Sequence, residues 1–239
     1  MTTFHAFILG VIQGLTEFIP VSSTAHLFIA TYLLGLPSDN LTFSFNVIIQ
    51  LGTVVAMLAF FWKDIWQIIQ AFLLGIKNKK PFEDFYARLG WLIIIATIPA
   101  LIAGFLLQDF VKKMSADSLL WAGIRLLFTS VLLFVVEYFD KKNRALESAT
   151  WLDALTVGLF QALAIFPGAS RSGSTMAGGM LRGFDRPSAA RFAFLMSAPI
   201  LFAAGIFESI QVIALPNTTE FTPILITGFV TSAMVGWAS

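Results

Sequence analysis

Apolar residues fill this chain in long blocks, and polar residues collect in the short stretches between them. Five blocks, roughly 43–62, 88–108, 118–139, 188–208 and 221–239, are each long enough to form a helix across a hydrocarbon layer about 30 Å thick. Two further apolar stretches, 4–35 and 152–183, are broken near their middles, at Pro20-Val21-Ser22-Ser23 and at Pro167-Gly168-Ala169-Ser170. Each half is too short to span alone. A proline lacks the N–H that would continue the incoming helix, and the serines are good caps for an outgoing one. The pattern predicts two re-entrant helix–loop–helix hairpins. Non-helical backbone at that depth survives only inside protein or against a water-filled cavity.

The two hairpins resemble each other. Gly10-Val11-Ile12-Gln13 parallels Gly158-Leu159-Phe160-Gln161, Pro20–Ser23 parallels Pro167–Ser170 with one gap, and Phe43-Ser44-Phe45 parallels Phe192-Ala193-Phe194. This reads as a duplication within one membrane domain, with 1–110 as the first repeat and 118–239 as the second. Basic residues set the orientation. Lys63, Lys77, Lys79, Lys80 and Arg88 fall on one side. Lys141, Lys142, Arg144, Arg182, Arg186 and Arg191 return to it, while only Lys112 and Lys113 lie opposite. The basic side is expected to be cytoplasmic and the N-terminus outside, so the hairpins enter from opposite faces and their tips meet near the midplane. The fold class expected is therefore all-α: a polytopic integral membrane protein, an inverted-topology repeat with two re-entrant hairpins. Such pairs of broken helices mark binding sites.

Composition adds exclusions. Of 239 residues 57% are hydrophobic and 12% charged, which leaves no room for a separate soluble domain. There is no cysteine, so disulfides and thiolate metal sites are excluded. A net charge of +1 gives no argument for nucleic acid, and none is expected as a partner. The N-terminus lacks the basic region of a signal peptide, and Gln13 and Glu17 interrupt its apolar stretch.

The two breaks carry the candidate chemistry, because ionisable and polar side chains at membrane depth are costly. Gln13 and Glu17 share a helix face and can point together at the first break. Ser23 is the expected N-cap of the outgoing half-helix, with Ser22 and Thr24 beside it and His26 in its first turn. In the second hairpin Ser170 is the expected cap, followed by Arg171, Ser172, Ser174 and Thr175, while Gly168 and Gly173 let backbone approach a ligand. Two helix N-termini, a guanidinium fork and many hydroxyls make an oxyanion site of the kind that holds phosphate. Glu17 would repel a phosphate unless it bears a proton or a cation lies between them. It can hold a divalent cation through oxygen, Mg²⁺ or Ca²⁺, with Gln13 beside it, or act as general base. Ser23 and His26 are both candidate nucleophiles at phosphorus, with Arg171 stabilising the transferred group.

Plainer readings stand beside these. Glu17 can be a structural partner of Arg171 or His26, and Ser22 and Ser172 can be caps only. His5 has no polar company and is assigned no site role. Arg125 is expected to snorkel from its span. Gly173, Ala177, Gly179 and Gly183 fit close helix packing, Lys77–Asp84 a solvated loop, and Pro99 and Pro199 kinks in their spans. An inverted-repeat transporter of polyprenyl phosphate or another anion, with Glu17 and His26 as a proton relay, has the same architecture.

At Gln13–Glu17 continuing through Pro20–His26, and at Pro167–Thr175, the chain resembles the undecaprenyl-diphosphate phosphatase family, also called BacA or UppP. Lesser matches are Gln50-Leu51-Gly52, Ile98-Pro99-Ala100 and Gly178–Leu181. The resemblance covers essentially the whole chain. It implies hydrolysis of undecaprenyl diphosphate to undecaprenyl phosphate and inorganic phosphate, recycling the carrier of peptidoglycan and other envelope polymers, and a link to bacitracin resistance. It further implies a divalent cation, a polyprenyl diphosphate substrate, membrane-lipid contacts, room for a homodimer, and a place in the bacterial inner membrane with the site open outward. By position it marks Glu17, Ser23, His26, Ser170, Arg171 and Thr175 as functional. Two departures stand out: Gln13 occupies a position that is often glutamate, and one further hydrophobic helix is expected after Ser239.

Overall fold

The computed structural model of the protein describes residues 1–37, 39–115, 119–139, 143–166, 169–213 and 218–239. Pro167 and Gly168 of the second break, Lys141 and Lys142, and residue 118 at the start of its expected span lie outside the described residues. The regular structure is helical: α1 Thr3–Glu17, α2 Ser23–Leu33, α3 Asn40–Phe60, α4 Trp62–Lys77, α5 Phe85–Ser115, α6 Leu119–Phe139, α7 Trp151–Leu163, α8 Arg171–Leu181, α9 Arg186–Ile213 and α10 Thr218–Ala238. Within these, Leu41–Phe60, Phe85–Leu107 and Phe221–Ala238 are long and apolar enough to cross a membrane. Large apolar side chains such as Phe105, Leu106, Phe128 and Phe134 stand fully outward, as lipid-facing residues do. The protein is an all-α polytopic membrane protein.

One helix departs from the expected pattern. Residues 63–88 carry enough charge to read as a connecting loop, yet α4 fills their first half. Its inward face, Ile65, Ile68 and Phe72, meets α5, while Trp62, Trp66 and Leu73 face outward. Asp64 in its first turn and Lys77 in its last both suit the helix dipole. Pro99 and Pro199 lie inside continuous helices, α5 and α9.

Both broken stretches fold as helix–break–helix, α1–α2 and α7–α8, and their landmarks correspond at a constant spacing. Thr2 and Thr150 each cap the first helix in a reciprocal capping box, with His5 and Asp153 as the answering side chains. Gly10 pairs with Gly158, Gln13 with Gln161, and the N-caps of the outgoing helices are Ser22 and Ser170. Gly35 and Gly183 follow those helices at φ 65° and 83°, a backbone region that suits glycine. Every one of these pairs is separated by the same 148 residues. No gap is needed. The cap of α2 is Ser22, whose Oγ accepts from the Ala25 N–H at 3.3 Å, and not Ser23.

Two apolar cores support the two hairpins. One gathers Leu9, Leu27, Phe45, Ile49 and Phe221 around α1, α2, α3 and α10. The other gathers Leu92, Ala96, Val157, Met180, Phe184, Phe192 and Met196 around α5, α7, α8 and α9. The packing is reciprocal: α1 lies on α10, and α7 lies on α5. A Cβ on Gly10 would sit 2.8 Å from the Gly228 carbonyl oxygen, and one on Gly158 only 2.4 Å from that of Ala96. Bare backbone at these corresponding positions lets each incoming half-helix press against a helix of the other half. α6 touches both outgoing helices, α2 and α8, and so stands beside both tips.

The base of the second hairpin is clasped ionically. Asp153, fully buried, accepts from Arg182 Nε at 2.6 Å and from Arg144 Nη2 at 2.8 Å. Arg144 also donates to the Arg182 carbonyl and stacks over Phe184. Burial alone would raise the Asp153 carboxyl, but the hydrogen bonds from Arg144, Arg182 and Thr150 outweigh it and hold the group down at about 2. One carboxylate thus ties the start of α7 to the end of α8.

Candidate active site

The sequence places Glu17 at the last turn of α1 and Arg171 at the first turn of α8, 154 residues apart, and the fold brings them into contact. Arg171 Nη2 donates to Glu17 Oε1. The second carboxylate oxygen, Oε2, accepts from Ser23 Oγ at 2.5 Å and from Gln13 Nε2 at 2.7 Å. Glu17 is only 6% exposed, and three protein donors engage its two oxygens. Gln13 is fully buried and spends its other amide hydrogen on Thr53 Oγ1 at 3.2 Å. Thr53 in turn donates to the Gln50 carbonyl at 2.7 Å. A chain of fixed groups from α3 through α1 therefore holds the carboxylate in place.

Around this pair lies a cavity of about 160 Å³ lined by Glu17, Ser22, Ser23 and Thr24 of the first tip and Ala169, Ser170, Arg171 and Ser172 of the second. Ala164, Gln50 and Leu201 complete the wall. Both outgoing helices begin at this cavity, and free N–H groups and dipole ends there favour an anion. Ser170 Oγ is taken by the Gly173 N–H at 3.1 Å, and its own N–H reaches Thr129 Oγ1 of α6 at 3.4 Å. Arg171 Nη1 is buried and has no hydrogen-bond partner among the described residues. A guanidinium at the cavity wall, with one arm on Glu17 and the other buried and unpartnered among the described residues, has donor capacity left for an oxyanion.

Strain is concentrated at the first tip. Ser22 has φ 64°, ψ 90°, a rare backbone conformation for a residue with a side chain. His26 braces it: Nδ1 lies 2.9 Å from the Ser22 carbonyl. A carbonyl only accepts, so Nδ1 carries the proton in this contact.

The predicted residues divide accordingly. Glu17, Ser22, Ser23, Thr24, Ser170, Arg171 and Ser172 come together at the cavity. Gln13 stands behind Glu17. His26, Ser174 and Thr175 are not in the wall; Thr175 Oγ1 donates back to the Arg171 carbonyl of its own helix at 2.8 Å. Gly173 packs against Thr129 and not toward the cavity. Arg125 turns Nε and Nη1 away from solvent one helical turn from Thr129. Sequence reasoning missed Gln50 as a wall residue, Thr53 behind Gln13, and Thr129 beneath Ser170. Their signal is present in each case as a polar residue within an apolar span.

Two broken helix pairs, an anion pocket between their tips, and a hydroxyl on a buried carboxylate define a membrane-embedded site built for phosphate chemistry. The family model for the bacitracin resistance protein BacA matches residues 6–239, and the chain belongs to that family. It is 41% identical over 248 residues to an undecaprenyl-diphosphatase of Pelodictyon phaeoclathratiforme, covering 100% of this chain and 86% of that protein. It is 37% identical to an undecaprenyl-diphosphatase of Thermomicrobium roseum, covering 99% and 87%, and 42% identical to one of Myxococcus xanthus, covering 87% and 69%.

Proposed function

We propose that this protein hydrolyses undecaprenyl diphosphate to undecaprenyl phosphate and inorganic phosphate, the activity its named relatives carry, and so recycles the lipid carrier for peptidoglycan and other envelope polymers. The observation that carries the reading is the Glu17 carboxylate, which joins the Ser23 hydroxyl of one tip to the Arg171 guanidinium of the other. Nucleophile, base and a group that orients the base are within hydrogen-bond reach, the arrangement covalent catalysis requires. The terminal phosphoryl group lies between the two helix N-termini with Arg171 Nη1 on its oxygens. Ser23 Oγ attacks in line and passes its proton to Glu17 Oε2. The bridging P–O bond breaks and undecaprenyl phosphate leaves. Water then attacks the phosphoserine, inorganic phosphate departs, and Ser23 recovers its proton. His26 holds the strained tip that presents Ser23.

A divalent cation fits this site as one shared with the substrate. Glu17 would be its one carboxylate ligand, with Gln13 Oε1, a buried oxygen without a hydrogen-bond partner among the described residues, behind it. No cluster of three His, Cys, Asp or Glu occurs among the described residues. Mg²⁺ is commonly held by one or two carboxylates together with substrate phosphates, and when bound it supplies neutralisation of the diphosphate charge. The Lys and Arg distribution supports an orientation with the basic side cytoplasmic, and the family resemblance supports an inner-membrane protein whose site opens outward.

The test is release of phosphate from undecaprenyl diphosphate in detergent, with Mg²⁺, Ca²⁺ or chelator, for wild type and Ser23→Ala. Cation-dependent release that falls by about 10³-fold in Ser23→Ala is expected. Release unchanged by Ser23→Ala removes the phosphoserine route. No release from folded wild-type protein removes the hydrolase reading in favour of a carrier.

A further inference from the structure

One polar residue of the cavity wall belongs to neither tip. Gln50 stands at the midpoint of α3, in the middle of a candidate membrane span. It is half-buried and lines the cavity, and its side-chain amide makes no hydrogen bond among the described residues. Its neighbours show what the position could otherwise hold: Ile49 is fully buried in the first core, and Leu51 packs over Gly205 of α9. A carboxamide here, with no hydrogen-bond partner among the described residues, is costly unless a ligand or water uses it. Its backbone is fixed, because its carbonyl accepts from Thr53, the same residue that steadies Gln13.

The rest of the polar wall belongs to the tips: Ser22, Ser23, Thr24 and Glu17 come from the first, and Ser170, Arg171 and Ser172 from the second. Together with two helix N-termini they suffice for the oxygens of one phosphoryl group. A diphosphate brings a second, which also needs a donor in a water-poor cavity. Gln50 and Leu201 come from α3 and α9, two helices packed on each other outside the tips. Leu201 is the largest apolar side chain of the wall, suited to the start of a lipid tail. We propose that Gln50 is a specificity residue for the diphosphate: its amide N–H donates to the phosphate that stays on the lipid, while the tips hold the phosphate that leaves. A neutral amide suits this task because it releases the product monophosphate more readily than a fixed cation. The inference rests on the hydrolase reading above.

The experiment compares wild type with Gln50→Met, close in volume and apolar, and with Gln50→Glu, which keeps the shape and adds a charge. Turnover of a prenyl diphosphate in detergent is measured, with competition by inorganic pyrophosphate and by inorganic phosphate, and thermal unfolding checks each fold. Gln50→Met is expected to raise KM about tenfold, about 1.4 kcal/mol, with kcat within about threefold of wild type. Inhibition by pyrophosphate weakens by a similar factor and inhibition by phosphate stays as it was. Gln50→Glu weakens pyrophosphate further, and carries the test alone if the methionine variant does not fold. Wild-type turnover with unchanged constants in the variants overturns the role of Gln50 and leaves the hydrolase reading standing. Equal loss of phosphate and pyrophosphate inhibition also overturns it, by placing Gln50 on the leaving phosphate. Absence of turnover in wild type overturns the hydrolase reading and this role with it.

Discussion

Replacing Glu17 by Gln and Arg171 by Met, singly and together, separates what their contact does for the fold from what it does for chemistry. The two side chains are 5% and 18% exposed and join helices of different halves. Removing one partner strands the other in a low-dielectric site, which costs about 3–5 kcal/mol when a buried pair is broken. Arg171→Met leaves Glu17 with the Ser23 and Gln13 hydrogen bonds, so its loss falls toward the lower end. Glu17→Gln leaves Arg171 with no carboxylate at all, so its loss falls toward the upper end. The double variant removes both charges and recovers most of that stability; with single losses of about 3 and about 5 kcal/mol and a double loss of about 2 kcal/mol, the coupling in a double-mutant cycle is about 6 kcal/mol. The assay is reversible unfolding in detergent micelles beside phosphate release. Stability is expected to return in the double variant while activity stays at least about 10³-fold down, since both groups act at the phosphoryl centre. A coupling below about 0.5 kcal/mol refutes the pair as a structural link between the halves. A double variant with restored activity refutes its catalytic use.

Two further outcomes follow from single positions. Gly158→Leu sets a side chain where a Cβ already lies 2.4 Å from the Ala96 carbonyl; the backbones of α5 and α7 must part, and a loss of about 3 kcal/mol in unfolding free energy is expected, against little change for Gly104→Leu on the open face of α5, where nothing lies within 4 Å. Asp153→Asn loosens the clasp by about 2 kcal/mol near neutral pH. Because the folded carboxyl is held at about 2 against an ordinary value of 3.8, its contribution is full above that ordinary value and is lost as pH falls toward 2, so the stability gap between wild type and Asp153→Asn should close over that interval, and a gap independent of pH refutes the clasp.

The hairpins were legible because at each break a proline is followed within three residues by a capping serine, with an apolar half too short to span on either side, and the resemblance of the two motifs pointed to the same residues. The site's inner connections were less legible. Gln13 and Glu17 share a face by spacing alone, but nothing in the linear order places Thr53 behind them or Thr129 under Ser170. Those contacts depend on how α3 and α6 rotate against the hairpins. The choice of Ser22 over Ser23 as cap was also hidden, since both are good caps and the decision rests on a positive φ that a serine rarely adopts. α4 was missed because its charges resemble those of a loop, while its buried side is a narrow stripe against α5.

The constant spacing of the two hairpins explains why their chemistry is unequal. Ser22 corresponds to Ser170, so Ser23 corresponds to Arg171 and Glu17 to Ile165. One scaffold keeps its caps, turn glycines and close-packing glycines in both copies, because helix geometry demands them in both. The charged positions are free to diverge, and they have done so in complementary fashion: the first half holds an anion and a hydroxyl, the second a cation. Neither half could bury its charge alone, and packing α1 on α10 and α7 on α5 brings the two into register. Gln161 records the same divergence. It is 2% exposed, and neither its nitrogen nor its oxygen has a hydrogen-bond partner among the described residues. Its counterpart Gln13 donates to Glu17, but one turn beyond Gln161 the corresponding residue is Ile165, which offers no side-chain acceptor.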